Sequence, residues 1–365
     1  MKQLLFTVTN DLVYDQRMIR ICTSLSAAGY KVRLVGTKNN SSSILSARDY
    51  QQTRLPTLFK KGPGFYAEYN LRLFFFLLFT KTDMLCCIDL DTIIPVWLVS
   101  VLKNKKRVYD AHEYFSQQKE IITRPRIYKT WHWIEKKFVP LFPNGYTVGY
   151  NIAEEFRRLY NVDYLVIRNM PLLKKPMTAP VKKEKYILYQ GAVNQARGLE
   201  YLIPAMNHVN ATLLIYGDGN FIDQTKNSID NNNLKGKVFL KGKLSPGELD
   251  IITSGAYIGI NLVENIGLNQ YYSLANKFFD YIHHLVPQLT MDYPEYRTIN
   301  EQYEVALLIE NLEPVTIAGS LNQLINDDTL YERLHQNCNR AREQLNWQEE
   351  EKKLLTFYHN LFYNV

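Results

Sequence analysis

The 365-residue chain has few cysteines, and its four (Cys22, Cys86, Cys87 and Cys338) fall in no metal-ligating spacing. That excludes a disulfide framework or a zinc knuckle and predicts reduced, buried thiols acting as small hydrophobes. Long apolar runs are missing too. The longest, LRLFFFLLF at Leu71–Phe79, is about half of what spans a bilayer, which leaves a buried helix or a helix turned toward a membrane. MKQLLFTV runs straight into the polar NDLVYDQR, unlike a secretory leader, so a cytoplasmic location is expected. GxGxxG is absent, and with it the dinucleotide fingerprint.

What is present is unevenly charged. Residues 1–180 hold 27 Lys and Arg against 14 Asp and Glu, net +13, whereas the remainder holds 16 against 22, net −6. The basic clusters KNKKR (Lys103–Arg107), TRPR (Thr123–Arg126), KK (Lys136–Lys137) and RR (Arg157–Arg158) accompany no nucleic-acid module pattern. A nucleic-acid partner is therefore not expected. An anionic membrane face or a phosphate-bearing lipid fits this asymmetry better.

Short apolar runs alternate with helix-length segments, which predicts βα units around parallel sheets. QLLFTV, KVRLVG, MLCCID, RVYD, YTV and YLVIRN are the strand candidates of the first half. YILYQG, TLLIYG, KVFLKG, YIGINLV, QLTM and VALLI are those of the second. MPLLKKPMTAPVKKEK, rich in proline and lysine, reads as a linker. The expected division is 1–170, a linker at 171–185, a second domain at 186–346, and a closing helix at 347–365.

Ligands of open parallel sheets sit beyond the carboxyl ends of strands, so polar residues there are the candidates. In YDAHEYF, Asp110, His112 and Glu113 follow a strand; in NDLVYDQR, Asp11, Asp15 and Arg17 follow another. Asp15 and Arg17 could cap the helix or touch a substrate. DLD (Asp89–Asp91) is read as capping the helix TIIPVWLV rather than as a metal site. In the second half, QGAVNQARG places Arg197 just before a helix, an arrangement suited to phosphate. YGDGN offers glycines that let backbone approach a flat ligand, or a tight turn. ENIGLNQYYSLANKFFDYI presents Glu264 at a strand end, then Lys277 and Asp280 at i, i+3 spacing. A carboxylate can hold a diol and a lysine can neutralise a phosphate; a surface salt bridge is the plainer reading.

These stretches, with VFLKGKLSPGEL and DYPEYRTI, in this order and spacing, resemble the family 4 glycosyltransferases of the GT-B fold. The resemblance implies two Rossmann-like domains facing each other across a cleft, the last helix crossing back to the first domain. It implies a nucleotide-diphosphate sugar donor held by the second domain, a glycan or lipid-linked acceptor bound by the first, and retention at the anomeric carbon. No cofactor and no metal are expected. Carried over by residue, His112 and Glu264 would act on the transferring sugar. Gly191, Arg197, Gly217, Asp218, Lys241, Asn276, Lys277 and Asp280 would bind the donor, and Asp15, Arg17 and Glu113 would lie on the acceptor side. The pattern departs at two places. Tyr272 stands where a second acid is usual, so Asp280 takes the ribose role; Ala192 stands where a second cation is usual, so Lys277 is the replacement. The expected setting is surface-polysaccharide assembly, peripheral on the cytoplasmic membrane face. A nucleotide-sugar 2-epimerase on the same fold and a catalytically silent nucleotide-binding subunit are the rivals.

Overall fold

The computed structural model describes residues 1–38, 42–174 and 185–363. The chain divides into two compact units: Met1–Asn169 with Glu349–Val365, and Met170–Gln348. The central residues of the expected linker, 175–184, lie outside the described residues.

The first unit is built on seven parallel strands: β1 (Gln3–Thr7), β2 (Lys31–Lys38), β3 (Gln51–Pro56), β4 (Met84–Ile88), β5 (Lys106–Ala111), β6 (Gly145–Thr147) and β7 (Leu165–Val166), in the spatial order β3-β2-β1-β4-β5-β6-β7. β1 and β4 are central and almost wholly apolar because helices cover both faces of such a sheet. The helix Gln16–Ala27 starts where the Asp15 carboxylate accepts the Met18 amide at 2.9 Å, and it ends at Gly29, whose φ of +88° closes the turn. The last helix, Trp347–Tyr363, joins this unit from Glu349 onward. There Tyr358 is buried between Phe6 and Tyr146, with its hydroxyl 3.2 Å from that of Tyr146.

The second unit holds six parallel strands, β8 (Tyr186–Gln190), β9 (Thr212–Tyr216), β10 (Val238–Gly242), β11 (Ile258–Asn261), β12 (Gln288–Met291) and β13 (Ala306–Ile309), ordered β10-β9-β8-β11-β12-β13. Both sheets are Rossmann-like, and in each the strand order reverses once: between β1 and β4, and between β8 and β11. The loops leaving those strands diverge to opposite faces and open a crevice at their carboxyl ends. All four cysteines are free and buried.

Every strand expected from the sequence is present. One strand, β3, was not expected, and the YLVIRN run pairs over only two residues as the edge strand β7. The LRLFFFLLF run belongs to one helix, Gly62–Phe79, and divides between two environments: Leu73 and Leu77 are buried, while Leu71, Phe75 and Phe79 face outward.

Candidate functional site

At the reversal point of the second sheet, three loops are drawn together by glycine. Gly217, just past β9, has φ +153°, and a Cβ there would lie 1.7 Å from the Gly191 carbonyl oxygen. A Cβ on Gly219 would meet the Val193 carbonyl at 2.2 Å, and one on Gly198 would meet Leu262 Cβ at 2.6 Å. Only residues without side chains permit these approaches. The Gly191 amide donates to Tyr216 O at 3.0 Å, Val193 N to Asp218 O at 3.0 Å, and Gly217 N to Gly242 O at 2.9 Å. The loop after β11 is tied in as well, Glu264 N donating to Ala196 O at 3.0 Å.

Onto this floor the helix Asn276–His283 delivers Lys277. Its ammonium stands 4.0 Å over the ring of Tyr189, and a Cβ on Gly191 would sit 3.8 Å from its Nζ. Desolvation, with the nearby Arg197 guanidinium adding to it against the pull of Asp280, lowers the Lys277 pKa to about 7. Arg197 is exposed at the end of the β8 loop. Asp280, one turn beyond Lys277, accepts a hydrogen bond from Gln190 Nε2 at 3.0 Å, and Gln190 is itself held by Thr253 Oγ1 at 2.7 Å. Glu264 is half-buried; the Tyr201 hydroxyl is hydrogen-bonded to its carboxylate, whose charge raises the Tyr201 pKa. The fold thus collects Gly191, Arg197, Gly217, Asp218, Glu264, Lys277 and Asp280 at one crevice, with Asn276 exposed at the helix start. Lys241 does not join them. It lies on the outer strand β10, its ammonium 5.3 Å over Phe239, in a shallow hollow shared with Lys226 and Asp230. Gln190, Tyr189 and Tyr201, which orient the acids and the lysine, were not among the sequence candidates.

The first unit has its own crevice, and acids line it. The DLD segment does not cap the following helix, whose start has no side-chain cap. Instead Asp89 Oδ1 accepts the Glu113 amide at 3.1 Å, and Asp91 accepts the Thr9 hydroxyl while its Oδ1 has no hydrogen-bond partner among the described residues. Burial raises the Asp91 pKa to about 7, and burial followed by Glu113 drives Asp89 well above the carboxylate range. Among the described residues, no group of three or more His, Cys, Asp and Glu is placed to hold a metal. His112 is half-buried just past β5, and the Glu113 carboxylate accepts from Gln118. Asp15 caps its helix and also accepts from Asn10 at 2.7 Å. Arg17 lies elsewhere than expected: it is 1% exposed, and its guanidinium binds both oxygens of Asp110 (2.7 and 3.0 Å) and the Ile167 carbonyl (3.1 Å). Satisfied and sealed in this way, it is a structural cation rather than one presented to an acceptor.

Residues 174–343 match the family model described as Glycosyl transferases group 1. No curated protein sequence resembles the chain closely enough to count as a relative. Among solved structures, a sucrose-phosphate synthase from Thermosynechococcus elongatus superposes with a TM-score of 0.82 at 14% identity, with all of both chains covered. A glycosyltransferase from Rickettsia africae gives 0.74 at 11%, covering 100% of this chain and 99% of the other. HepE of Anabaena in complex with UDP-glucose gives 0.76 at 11%, covering 99% of this chain and 100% of that one. At such identities the likeness is one of fold, and that fold, two parallel Rossmann-like sheets with flanking helices, is the GT-B architecture of glycosyltransferases.

Proposed function

We propose that the protein is a metal-independent, retaining glycosyltransferase that moves a hexosyl group from a nucleotide-diphosphate sugar to a glycan or lipid-linked acceptor in surface-polysaccharide assembly. The observation that carries this reading is the bare backbone at Gly191 lying beneath Lys277, with Arg197 on the same loop. A diphosphate could approach the main chain there between two cations. Glu264 would accept from hydroxyls of the donor sugar and Asp280 from those of the ribose, with Tyr201 and Gln190 fixing the two carboxylates.

In the step itself, the bond between the anomeric carbon and the β-phosphate oxygen breaks while the acceptor oxygen bonds to the same face. The acceptor proton passes to the departing phosphate. Arg197 and Lys277 supply the two fixed charges that stabilise the leaving group without a metal. Lys277 reaches the loop in which Ala192 stands where a second cation is usual. His112 is assigned to the transferring sugar, and Asp15 and Glu113 to the acceptor side, by resemblance. The net charge of +13 over residues 1–180 favours a peripheral place on an anionic cytoplasmic membrane face.

Thermal shift against UDP, GDP, ADP, CMP and their sugar conjugates, with and without EDTA, tests the reading. A ligand at about 100 times its dissociation constant stabilises by roughly 2.7 kcal/mol. An EDTA-insensitive shift with one nucleoside diphosphate is expected; no shift with any nucleotide would overturn the donor site.

A further inference from the structure

Three helices of the first unit, Gly62–Phe79, Ile93–Leu102 and Pro125–Phe138, form a surface that core packing does not explain. The first two pack against each other and end side by side. The Lys103 ammonium, one residue past the second helix, donates to the carbonyls of Leu77 (3.2 Å), Leu78 (3.1 Å) and Thr80 (2.6 Å) at the end of the first. The apolar residues on this joint end point outward. Leu71, Phe75 and Phe79 recur every four residues, one stripe of a helix, and Phe79 is 82% exposed. Beside them, Val101 and Leu102 are 53% and 65% exposed.

The third helix borders this patch through Trp97, whose ring packs edge-on against Phe138 at 5.4 Å. It contributes Trp133, 55% exposed, with the Lys137 ammonium 5.1 Å over its ring. Its remaining charges are one-sided: Arg126, Lys129, Lys136 and Lys137 are exposed, whereas its only acid, Glu135, is buried. The KNKKR cluster and exposed Lys81 flank the other two helix ends. Contiguous exposed aliphatics and phenylalanines with an interfacial tryptophan and a rim of cations match the headgroup boundary of an anionic bilayer. Among the described residues no helix is long and apolar enough to cross a membrane.

We propose that this three-helix face docks on the surface of a bilayer containing anionic lipid, with Phe75, Phe79 and Leu102 entering the acyl boundary and the lysines and arginines meeting the headgroups. The proposal rests on the membrane-side part of the functional reading and is independent of the donor chemistry.

Vesicle flotation of the full chain without nucleotide tests it, using phosphatidylcholine alone or with a third of phosphatidylglycerol, at low and high salt. The chain should float with the anionic vesicles and bind the neutral ones weakly. Phe75→Glu with Phe79→Glu should reduce partitioning at least about tenfold, since binding scales with the apolar area buried. Lys136→Glu with Lys137→Glu should weaken it and flatten its salt dependence, with the melting midpoint unchanged. If the phenylalanine pair fails to fold, Leu102→Glu carries the same comparison. Failure of the parent chain to bind anionic vesicles at low salt would overturn the proposal, as would equal binding by parent and apolar variants. So would self-association without lipid that these substitutions abolish, since a second copy would then cover the face. A nucleotide-induced thermal shift in the same preparations would show that the donor reading survives either result.

Discussion

The two units differ in charge at two scales. The first, Met1–Asn169 with Glu349–Val365, holds 27 Lys and Arg against 17 Asp and Glu, net +10, yet the crevice of its sheet is lined by Asp89, Asp91 and Glu113. The second, Met170–Gln348, holds 16 against 19, net −3, yet the crevice of its sheet sets Arg197 and Lys277 among Asp218, Glu264 and Asp280. Overall charge is therefore no guide to either mouth. The excess of cations in the first unit is spread over exposed helices, where salt screens it and where it can act on a large anionic surface. The few charges at the mouths sit at strand ends among packed loops, where desolvation strengthens them and shifts their titration. On the proposals made above, one sequence would address two kinds of partner, an extended one through its surface and a small one through its crevices.

The acid character of the first mouth depends on Arg17, which removes a fourth carboxylate by pairing with Asp110. Arg17→Leu would leave Asp110 buried and uncompensated, at a cost of about 3–5 kcal/mol. Urea unfolding should read that loss directly. If instead stability were unchanged and only acceptor KM rose, Arg17 would face the acceptor and the structural assignment would fail. The next largest effect belongs to the second mouth. Glu264→Gln should lower turnover roughly 100-fold or more while nucleoside diphosphate still produces its thermal shift, because in the proposed site the charge lost would face the sugar rather than the phosphates. A silent nucleotide-binding subunit would have no turnover to lose, and steady-state product analysis separates the two.

The mouths were legible in the sequence to different depths. Glu264 and Arg197 could be placed at strand ends because a βα loop falls at the carboxyl end of its strand whatever the fold's details, and the apolar runs YILYQ and YIGIN announce those strands. What lay beyond reach was pairing across distance. Arg17 stands two residues from Asp15, and the local reading joined them, whereas its partner Asp110 lies 93 residues away. The i, i+3 spacing put Lys277 and Asp280 on one helix face but could not show their separate partners: the fold sets Lys277 over Tyr189 and gives Asp280 a hydrogen bond from Gln190. DLD looked like a helix cap because capping is the commonest local use of Asp; its carboxylates reach instead to Thr9 and the Glu113 amide. β3, QQTRLP, escaped because an edge strand needs no apolar alternation and tolerates proline.

Lys277 allows the second mouth to be tested by pH. Its pKa of about 7 in the free protein lies below the ordinary lysine value, so the ammonium is half-populated near neutrality. An anionic diphosphate favours the charged form and should draw a proton on binding. Calorimetry with a nucleotide sugar in buffers of differing ionisation heat should show uptake of about half a proton at pH 7, falling toward zero as pH drops. Affinity should decline as pH rises above 7. Lys277→Gln should weaken binding about 10–100-fold, the worth of one charged hydrogen bond, and abolish the uptake. Uptake that persists in the variant would assign the titration to a group other than Lys277.

The first mouth gives the smallest effect, and its sign is opposite. The Asp91 carboxyl titrates higher in the folded chain than in the unfolded one, so its contribution to stability is complete below about pH 4. That contribution is lost as pH rises through about 7. The parent should therefore lose stability between roughly pH 4 and pH 7 through this group, as the buried carboxyl is forced to ionise beside Asp89 and Glu113. Asp91→Asn keeps an acceptor for the Thr9 hydroxyl and has no proton to lose. It should be more stable than the parent at the alkaline end by on the order of 1–2 kcal/mol and nearly equal to it at the acid end. Melting midpoints of the two proteins across that range decide the matter, since titrating groups away from Asp91 cancel in the difference and only its neighbours Asp89 and Glu113 shift with it. Parallel curves would mean that Asp91 is ionised throughout this range in the folded chain as it is in the unfolded one, and that burial does not hold its proton.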